Sequence, residues 1–190
     1  MEESEIVAKA KDYIAQEKDP QFRGEVEELL KDVKGNFKEL EDRFYQSLEF
    51  GTAGLRGIMG GGTNRMNPLN ISKATQGLAN YLIKAFPQEA KDGTLSACIA
   101  YDSRHNHEKF SDITACVLAA NGIKAYLFTG MRPTPELSYA ILQLGCKTGV
   151  VVTASHNPPK YNGYKAYWAD GAQVTPPHDK GIIDEVNSVK

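Results

Sequence analysis

The sequence lacks any apolar run near the roughly 20 residues that a membrane-spanning helix needs, which argues against an integral helical membrane protein. It also lacks an excess of charge of either sign, because its net charge is only -2. We therefore expect no binding to nucleic acid or to an acidic membrane, and any anion site must be local. The acidic start, Met1–Glu5, has no apolar signal segment, which predicts a cytoplasmic location.

Cysteine is scarce as well. Cys98, Cys116 and Cys146 are odd in number, far apart, and without the Cys/His spacing that zinc sites use. Each lies in an apolar-periodic segment, so we expect three buried free thiols in a reducing compartment.

The composition that remains is that of a globular protein, with 41% apolar and 24% charged residues in 190 positions. This length suits one domain, or one domain plus an appendage. The first 45 residues are charge-rich and have helical periodicity, so we interpret residues 1–45 as a helical N-terminal extension and residues 46–190 as an α/β domain.

Three helices are expected in the extension. The second begins with Asp19 as N-cap and Pro20 as first helical residue, and we expect Gly35 to end it. A third, short helix is predicted to start at Asn36 with a capping box.

From about residue 46 onwards, helical and strand patterns alternate. Strands are expected at residues 95–101, 123–129, 147–154 and 163–168, with helices between them and a last helix near the carboxyl end. This alternation predicts a mixed, largely parallel sheet with flanking helices.

Polar residues follow three of the expected strands. Arg104, Arg132 and the pair Ser155–His156 come directly after strand ends, where open α/β sheets bind ligands. If the strands are parallel neighbours, these groups meet at one edge. Exposed loop arginines are common, so Arg104 and Arg132 are equally consistent with solvated charges.

Ser155 is the most informative residue. It lies in the run Thr153–Pro159, TASHNPP, after an apolar strand and close to Lys160 and Lys165. A hydroxyl beside positive charge suggests transfer of an anionic group, above all a phosphoryl group. A serine hydrolase is disfavoured, because no Gly-x-Ser-x-Gly elbow is present and an adjacent His156 on an extended strand would point to the opposite face.

A glycine-rich stretch at residues 50–57, FGTAGLRG, offers close backbone approach to a ligand, and Arg56 can bind phosphate with two hydrogen bonds. It does not match the Walker pattern, and a plain turn is at least as consistent with its composition.

Together these motifs resemble those of the α-D-phosphohexomutases, the phosphoglucomutases and phosphomannomutases. The run 153–158 with Asn162–Lys165 resembles their active-site serine loop, the stretch 50–57 resembles their N-terminal substrate-site signature, and Asp102–Arg104 also fits. The likeness covers about residues 45–190, the first domain of that family. The helical extension and the run Asn64–Asn67 resemble its longer-chain branch, which includes phosphoglucomutases and phosphopentomutases, with sugar bisphosphate synthase activity as a further alternative within it.

The resemblance implies an intramolecular phosphotransferase that moves phosphate between the C1 and C6 (or C5) hydroxyls of a sugar through a bisphosphorylated intermediate. It implies that Ser155 carries the phosphoryl group, that Lys165 is the general acid/base and that His156 contacts the phosphoserine. It further implies substrate or phosphate binding by Thr52, Arg56, Arg104 and Asn157. Lys165 is otherwise consistent with an ordinary exposed strand lysine.

The family resemblance also implies cofactors and partners. Mg²⁺ is expected on Ser155 through its phosphate, with a sugar 1,6-bisphosphate as activator. The other magnesium ligands belong to an Asp-Gly-Asp-x-Asp-Arg loop that this sequence lacks, so we expect them in a second domain. The expected partners are a phosphosugar and the remaining domains of the enzyme, and we expect the 190 residues alone to be inactive.

An alternative from another class remains open. The chain is also consistent with a non-catalytic phosphosugar-binding or regulatory module that kept the serine loop without the chemistry. The missing aspartate loop favours this alternative, whereas the intact set Ser155, His156 and Lys165 argues against it.

Overall fold

The computed structural model describes residues 2–51 and 54–189. Its amino-terminal part is helical, with α1 at Glu3–Gln16, α2 at Pro20–Leu30 and α3 at Phe37–Phe44. The apolar stripes of these helices share a small core, made of Ile6, Ala10, Tyr13, Val26, Leu40 and Phe44. The division into residues 1–45 and 46–190 stays a prediction. Phe22 of α2 packs in the main core near Phe110, so the extension and the α/β domain share part of that core.

The helix ends test the predicted caps. Asp19 does cap α2, accepting hydrogen bonds from the N–H groups of Gln21 and Phe22, and Pro20 is the first helical residue. Gly35 does not end α2, because the helix stops at Leu30 and a run of turns follows. The predicted capping box at Asn36 is also wrong, since its side-chain amide donates back to the carbonyl of Leu29 instead.

Strands and helices alternate in the rest of the described chain. The strands are β1 at Gly54–Ile58, β2 at Ser96–Tyr101, β3 at Lys124–Leu127, β4 at Thr148–Val152 and β5 at Tyr161–Trp168. The helices are α4 at Pro68–Ala85, α5 at Pro87–Lys91, α6 at His107–Ala120, α7 at Thr134–Leu144 and α8 at His178–Ser188.

The five strands form one sheet in the order β1-β5-β4-β2-β3. β2 pairs parallel with both β3 and β4, whereas β5 runs antiparallel between β4 and β1. The predicted mixed α/β fold with flanking helices is therefore confirmed. Strand β1 is new, because its glycine-rich sequence lacks the apolar alternation of a strand and its pairing with β5 supplies the order.

Helices cover both faces of the sheet. On one face α4, α6 and α8 contribute to the main core, with Leu78, Phe110 and Ile182 among its members. On the other face α7 packs over β2 and β4 through Leu137 and Ile141. Within residues 2–51 and 54–189, no helix has the length and apolar character to cross a membrane.

The cysteines follow the prediction at two positions of three. Cys98 and Cys146 are buried, but Cys116 is exposed. The inward face of α6 is carried by Phe110, Ser111, Thr114 and Leu118 instead. The two hydroxyls can be buried because they donate to carbonyls of their own helix, so this face does not show as an apolar stripe in the sequence.

Candidate active site

The loops after β2 and β4 are joined at the carboxyl edge of the parallel strands. Asp102 follows β2 and accepts a hydrogen bond from the hydroxyl of Thr153, which follows β4. The second oxygen of this carboxylate accepts the N–H of Arg104 at 3.1 Å. Two loops that are far apart in the chain therefore form one polar edge, as expected for neighbouring parallel strands.

Ser155 has an unusual backbone at this edge. Its φ of 56° lies in the left-handed region, which a residue with a Cβ adopts only when its surroundings hold it there. One constraint is the hydrogen bond from its N–H to the Thr153 hydroxyl, at 2.9 Å. The Ser155 side chain is exposed, so its oxygen is accessible to a ligand.

Arg104 supplies the second constraint. Its guanidinium donates to the carbonyl of Ser155 at 2.5 Å, and also to the carbonyls of Pro158 at 2.9 Å and Tyr161 at 3.4 Å. The arginine thus holds the loop in shape through three backbone oxygens and brings a positive charge beside Ser155. Its expected role in binding phosphate stays a prediction.

His156 lies closer to Ser155 than the sequence suggests. Its Nδ1 is 3.3 Å from the Ser155 Oγ. The expectation that these neighbours point to opposite faces is wrong, because it assumes extended backbone whereas Ser155 is left-handed. The imidazole is therefore within reach of the serine oxygen and of any group attached to it.

Lys165 reaches the edge from β5, where it is paired with Val151 on one side and Gly54 on the other. Partial burial lowers the pKa of this half-buried lysine, and the charge of Arg56 lowers it further, while Asp102 opposes both. Arg56 is exposed on β1, across from Gly163. Because these two positive charges repel one another, an anion bound beside them would be stabilised.

Arg132 does not join this group. Its guanidinium pairs with Glu136 at 3.1 Å and lies over the ring of Phe128. Its backbone N–H donates to the carbonyl of Tyr101, the last residue of β2, at 3.0 Å. The hypothesis that Arg132 converges with Ser155 is therefore not supported by its side-chain contacts.

The remaining expected residues contribute less on present geometry. Asn157 is half-buried, and its N–H donates to the carbonyl of Ala154 at 3.1 Å, which closes the turn around Ser155. Thr52 lies outside the described residues. Beside Arg56 there is an open cleft of about 470 Å³, bordered also by Arg65 and Tyr161.

Three supporting residues lie within the motifs of the sequence but were given no role of their own: Asp102, Thr153 and Asn162. Asn162 is buried and joins β5 to the loop after β2, because its amide donates to the carbonyl of His105 at 2.9 Å. Its oxygen accepts the N–H of Gly163 at 2.7 Å. Their position at strand ends is the sequence feature that could have identified them, because buried polar side chains there need hydrogen-bond partners.

The described residues do not fit a magnesium site on their own. No group of three His, Cys, Asp or Glu side chains is arranged for a metal within residues 2–51 and 54–189. Asp102, the carboxylate that faces this edge, is engaged by Thr153 and by the N–H of Arg104. Magnesium requires several oxygen ligands in octahedral arrangement, and we derive no step through it.

Comparison with known proteins places these features in context. The family model described as phosphoglucomutase/phosphomannomutase, alpha/beta/alpha domain I, matches residues 47–190. The chain is 42% identical over 166 residues to a probable phosphoribomutase of Schizosaccharomyces pombe, covering 87% of this chain and 27% of that protein. It is 40% identical over 177 residues to a glucose 1,6-bisphosphate synthase of Mus musculus, covering 90% and 28%.

A solved structure gives the same picture. The crystal structure of a putative phosphomannomutase from Thermus thermophilus superposes with a TM-score of 0.65 at 28% identity. The superposition covers 74% of this chain and 30% of that one. The chain thus spans between a quarter and a third of the length of these proteins.

Proposed function

This chain belongs to the phosphoglucomutase/phosphomannomutase family, and from that premise we propose that it is the catalytic first domain of a phosphosugar mutase with Ser155 as phosphoryl carrier. The observation that carries the proposal is the position of the Ser155 hydroxyl. It is exposed on a left-handed residue that is fixed through Thr153 and Arg104. A nucleophile held in this way is oriented before a phosphosugar arrives.

The surrounding charges suit a phosphoserine. A phosphoryl group adds about -1.5 to -2 charge, which Arg104 would balance from within the loop contacts and Lys165 and Arg56 from the neighbouring strands β5 and β1. His156 would hydrogen-bond either the phosphate or the reacting sugar hydroxyl, since its Nδ1 is 3.3 Å from Oγ. Positioning and charge stabilisation account for most of the catalysis in phosphoryl transfer.

Proton transfer is assigned to Lys165. A sugar hydroxyl that attacks the phosphoserine must lose a proton, and negative charge develops on the serine oxygen as it leaves. The lowered pKa of Lys165 brings its neutral form closer to working pH, which is what a general base requires. Once protonated, the same ammonium can return the proton in the reverse transfer.

In this proposal the serine hands its phosphate to a sugar monophosphate and recovers one from the bisphosphate that results. The preference for C1 with C6 or for C1 with C5 depends on the sugar, and both hexose and pentose names occur among the relatives. Sugar selection, the remaining magnesium ligands and activation by a sugar 1,6-bisphosphate are proposed to involve further domains. A cytoplasmic location also stays a prediction.

The proposal is tested by comparing Ser155→Ala with Ser103→Ala in the protein produced by its source organism. Ser103 is an exposed serine in the loop after β2 and serves as the matched control. We expect Ser155→Ala to abolish interconversion of sugar phosphates and Ser103→Ala to retain most of it. Full activity in Ser155→Ala would refute Ser155 as phosphoryl carrier, whereas absence of interconversion in the unaltered protein would leave the phosphosugar-binding module as the better account.

A further inference from the structure

A second chemical feature lies away from the candidate active site. The thiols of Cys98 and Cys146 are in contact, with their Sγ atoms 3.3 Å apart, and both cysteines are free. They are 1% and 2% exposed and share the small core beneath α7 with Ile141 and Val151. Neither thiol has a role in the proposed phosphoryl transfer.

The two thiols are not equivalent. The hydrogen bond between the two thiols lowers the pKa of Cys146 to about 7, against the effect of burial. The hydroxyl of Ser96, 3.5 Å away, and the charge of Lys124 act in the same direction. The pKa of Cys98 is raised by the same pairing and by burial. This asymmetry, together with the position of Cys146 directly after the exposed end of α7, favours Cys146 as the nucleophile and Cys98 as the resolving thiol.

Access to the pair lies at the carboxyl end of α7. Leu144 and the left-handed Gly145 end this helix, are exposed and directly precede Cys146. Helix ends open at lower free energy than a core strand, so fraying of this last turn admits a small reagent. The exposed ammonium of Lys124 adds a positive charge beside the opening, which favours an anionic reagent.

We propose that Cys98 and Cys146 form a reversible intramolecular disulfide, a modification site for low-molecular-weight anionic disulfides such as oxidised glutathione. The Cys146 thiolate attacks one glutathione sulfur, forming a mixed disulfide and releasing one glutathione thiolate. Cys98 then loses its proton and attacks the Cys146 sulfur, and the second glutathione leaves. Two protein thiols are oxidised, one glutathione disulfide is reduced, and the protein loses two hydrogen atoms.

The bond would join the two strands that carry the polar edge. Cys98 lies in β2, which leads to Asp102, and Cys146 precedes β4, which leads to Thr153. In the parallel register Cys98 is paired with Gly149, three residues beyond Cys146. The cross-link therefore closes a 48-residue separation between neighbouring strands and does not depend on the proposed mutase function.

The test uses the purified chain and its Cys116→Ser variant with graded ratios of oxidised to reduced glutathione. The exchange is stopped with acid, the remaining thiols are trapped with N-ethylmaleimide in denaturant at neutral pH, and intact mass and peptide mapping follow. We expect a Cys98–Cys146 peptide in both proteins, reversed by dithiothreitol, with a rate that rises with pH and levels off above about 7. Cys116, which is exposed, should form a glutathione adduct instead.

Single variants identify the order of attack. Cys98→Ser should accumulate a glutathione adduct on Cys146, whereas Cys146→Ser should leave Cys98 unmodified while the protein is folded. Cys98→Ala replaces the first variant if serine impairs folding, and circular dichroism checks each protein. The proposal is overturned if Cys116 is modified while Cys98 and Cys146 both still react with maleimide after denaturation. It is equally overturned if their disulfides form between chains.

Discussion

The backbone N–H of Ser155 donates to the hydroxyl of Thr153 at 2.9 Å. Thr153, which follows β4, therefore fixes the backbone of the residue two positions further on. The same hydroxyl donates to the carboxylate of Asp102 at the end of β2. This relay, from carboxylate to hydroxyl to backbone, couples the geometry of the proposed nucleophile to the pairing of two parallel strands.

Removing the Thr153 hydroxyl should loosen the serine loop. Thr153→Val keeps the shape but leaves the Ser155 N–H and the Asp102 carboxylate without this partner, so we expect a loss of about 1–2 kcal/mol in the free energy of unfolding. Thr153→Ser keeps the hydroxyl and should recover most of it. Urea titration measures the free energy of unfolding of both variants and of the unaltered protein. Equal stability of Thr153→Val and the unaltered protein would show that the relay has no role.

The left-handed backbone at Ser155 predicts an order of stability between two variants that lack the hydroxyl. Ser155→Gly relieves the conformational strain that alanine retains, since glycine adopts positive φ without steric penalty. We expect Ser155→Gly to be about 1 kcal/mol more stable than Ser155→Ala. Denaturant unfolding of both proteins measures this difference, and a more stable alanine variant would contradict the left-handed conformation.

Two charge variants should move the pKa of Lys165 in opposite directions. Arg56→Gln removes a repelling charge and should raise it, whereas Asp102→Asn removes an attracting charge and should lower it further. Nuclear magnetic resonance of the labelled Lys165 side chain follows both titrations. Shifts of the same sign in the two variants would refute the electrostatic account.

The lowered pKa of Lys165 also determines the direction in which this residue changes the free energy of unfolding as the pH rises. The folded state binds this proton less tightly than the unfolded state, whose ordinary value is 10.5. The destabilising effect is therefore complete below the folded pKa and disappears as the pH rises towards 10.5. Lys165→Met should flatten this part of the stability curve, and an unchanged slope would show that another group is responsible.

Close approach of three strands predicts a large effect at Gly163. A Cβ there would lie 2.5 Å from the carbonyl oxygen of Thr153 and 3.0 Å from that of Leu55. Gly163→Ala should therefore destabilise the protein by about 1–3 kcal/mol. Gly24→Ala is the matched control, because a Cβ added at this position of α2 would have nothing within 4 Å. This change should raise the free energy of unfolding by about 0.5–1 kcal/mol. Thermal unfolding should show a lower midpoint temperature for Gly163→Ala and a higher one for Gly24→Ala.

Much of the fold was predictable because it rests on local patterns. Apolar periodicity indicated the three parallel strands and most helices, and Asp19–Pro20 marked the start of α2. Strand β1 could not be predicted, since Arg56 and its glycines become a strand only by pairing with β5. The predicted burial of Cys116 was wrong because backbone-bonded hydroxyls at Ser111 and Thr114 occupy part of the inward face of α6.

The sequence indicated most of the residues that gather at this edge, apart from Arg132, but not their geometry, and the roles of these residues stay predictions. Ser155, His156 and Lys165 lie near one another in sequence, and strand ends indicated that Arg104 would join them. The left-handed turn at Ser155 depends on Thr153 and Arg104, which act from two loops, and no local pattern reports such a constraint. For the same reason the strand-geometry argument missed the contact between Ser155 and His156, which only the family resemblance implied.

The most direct measurement is the phosphorylation state of Ser155 in the protein isolated from its source organism. Mass spectrometry of the intact protein and of the peptide containing residues 153–159 should find one phosphate, on Ser155. Addition of unlabelled sugar monophosphate should remove it as phosphate passes to the sugar. A Ser155 that carries no phosphate, even after incubation with a sugar 1,6-bisphosphate, would contradict its role as phosphoryl carrier.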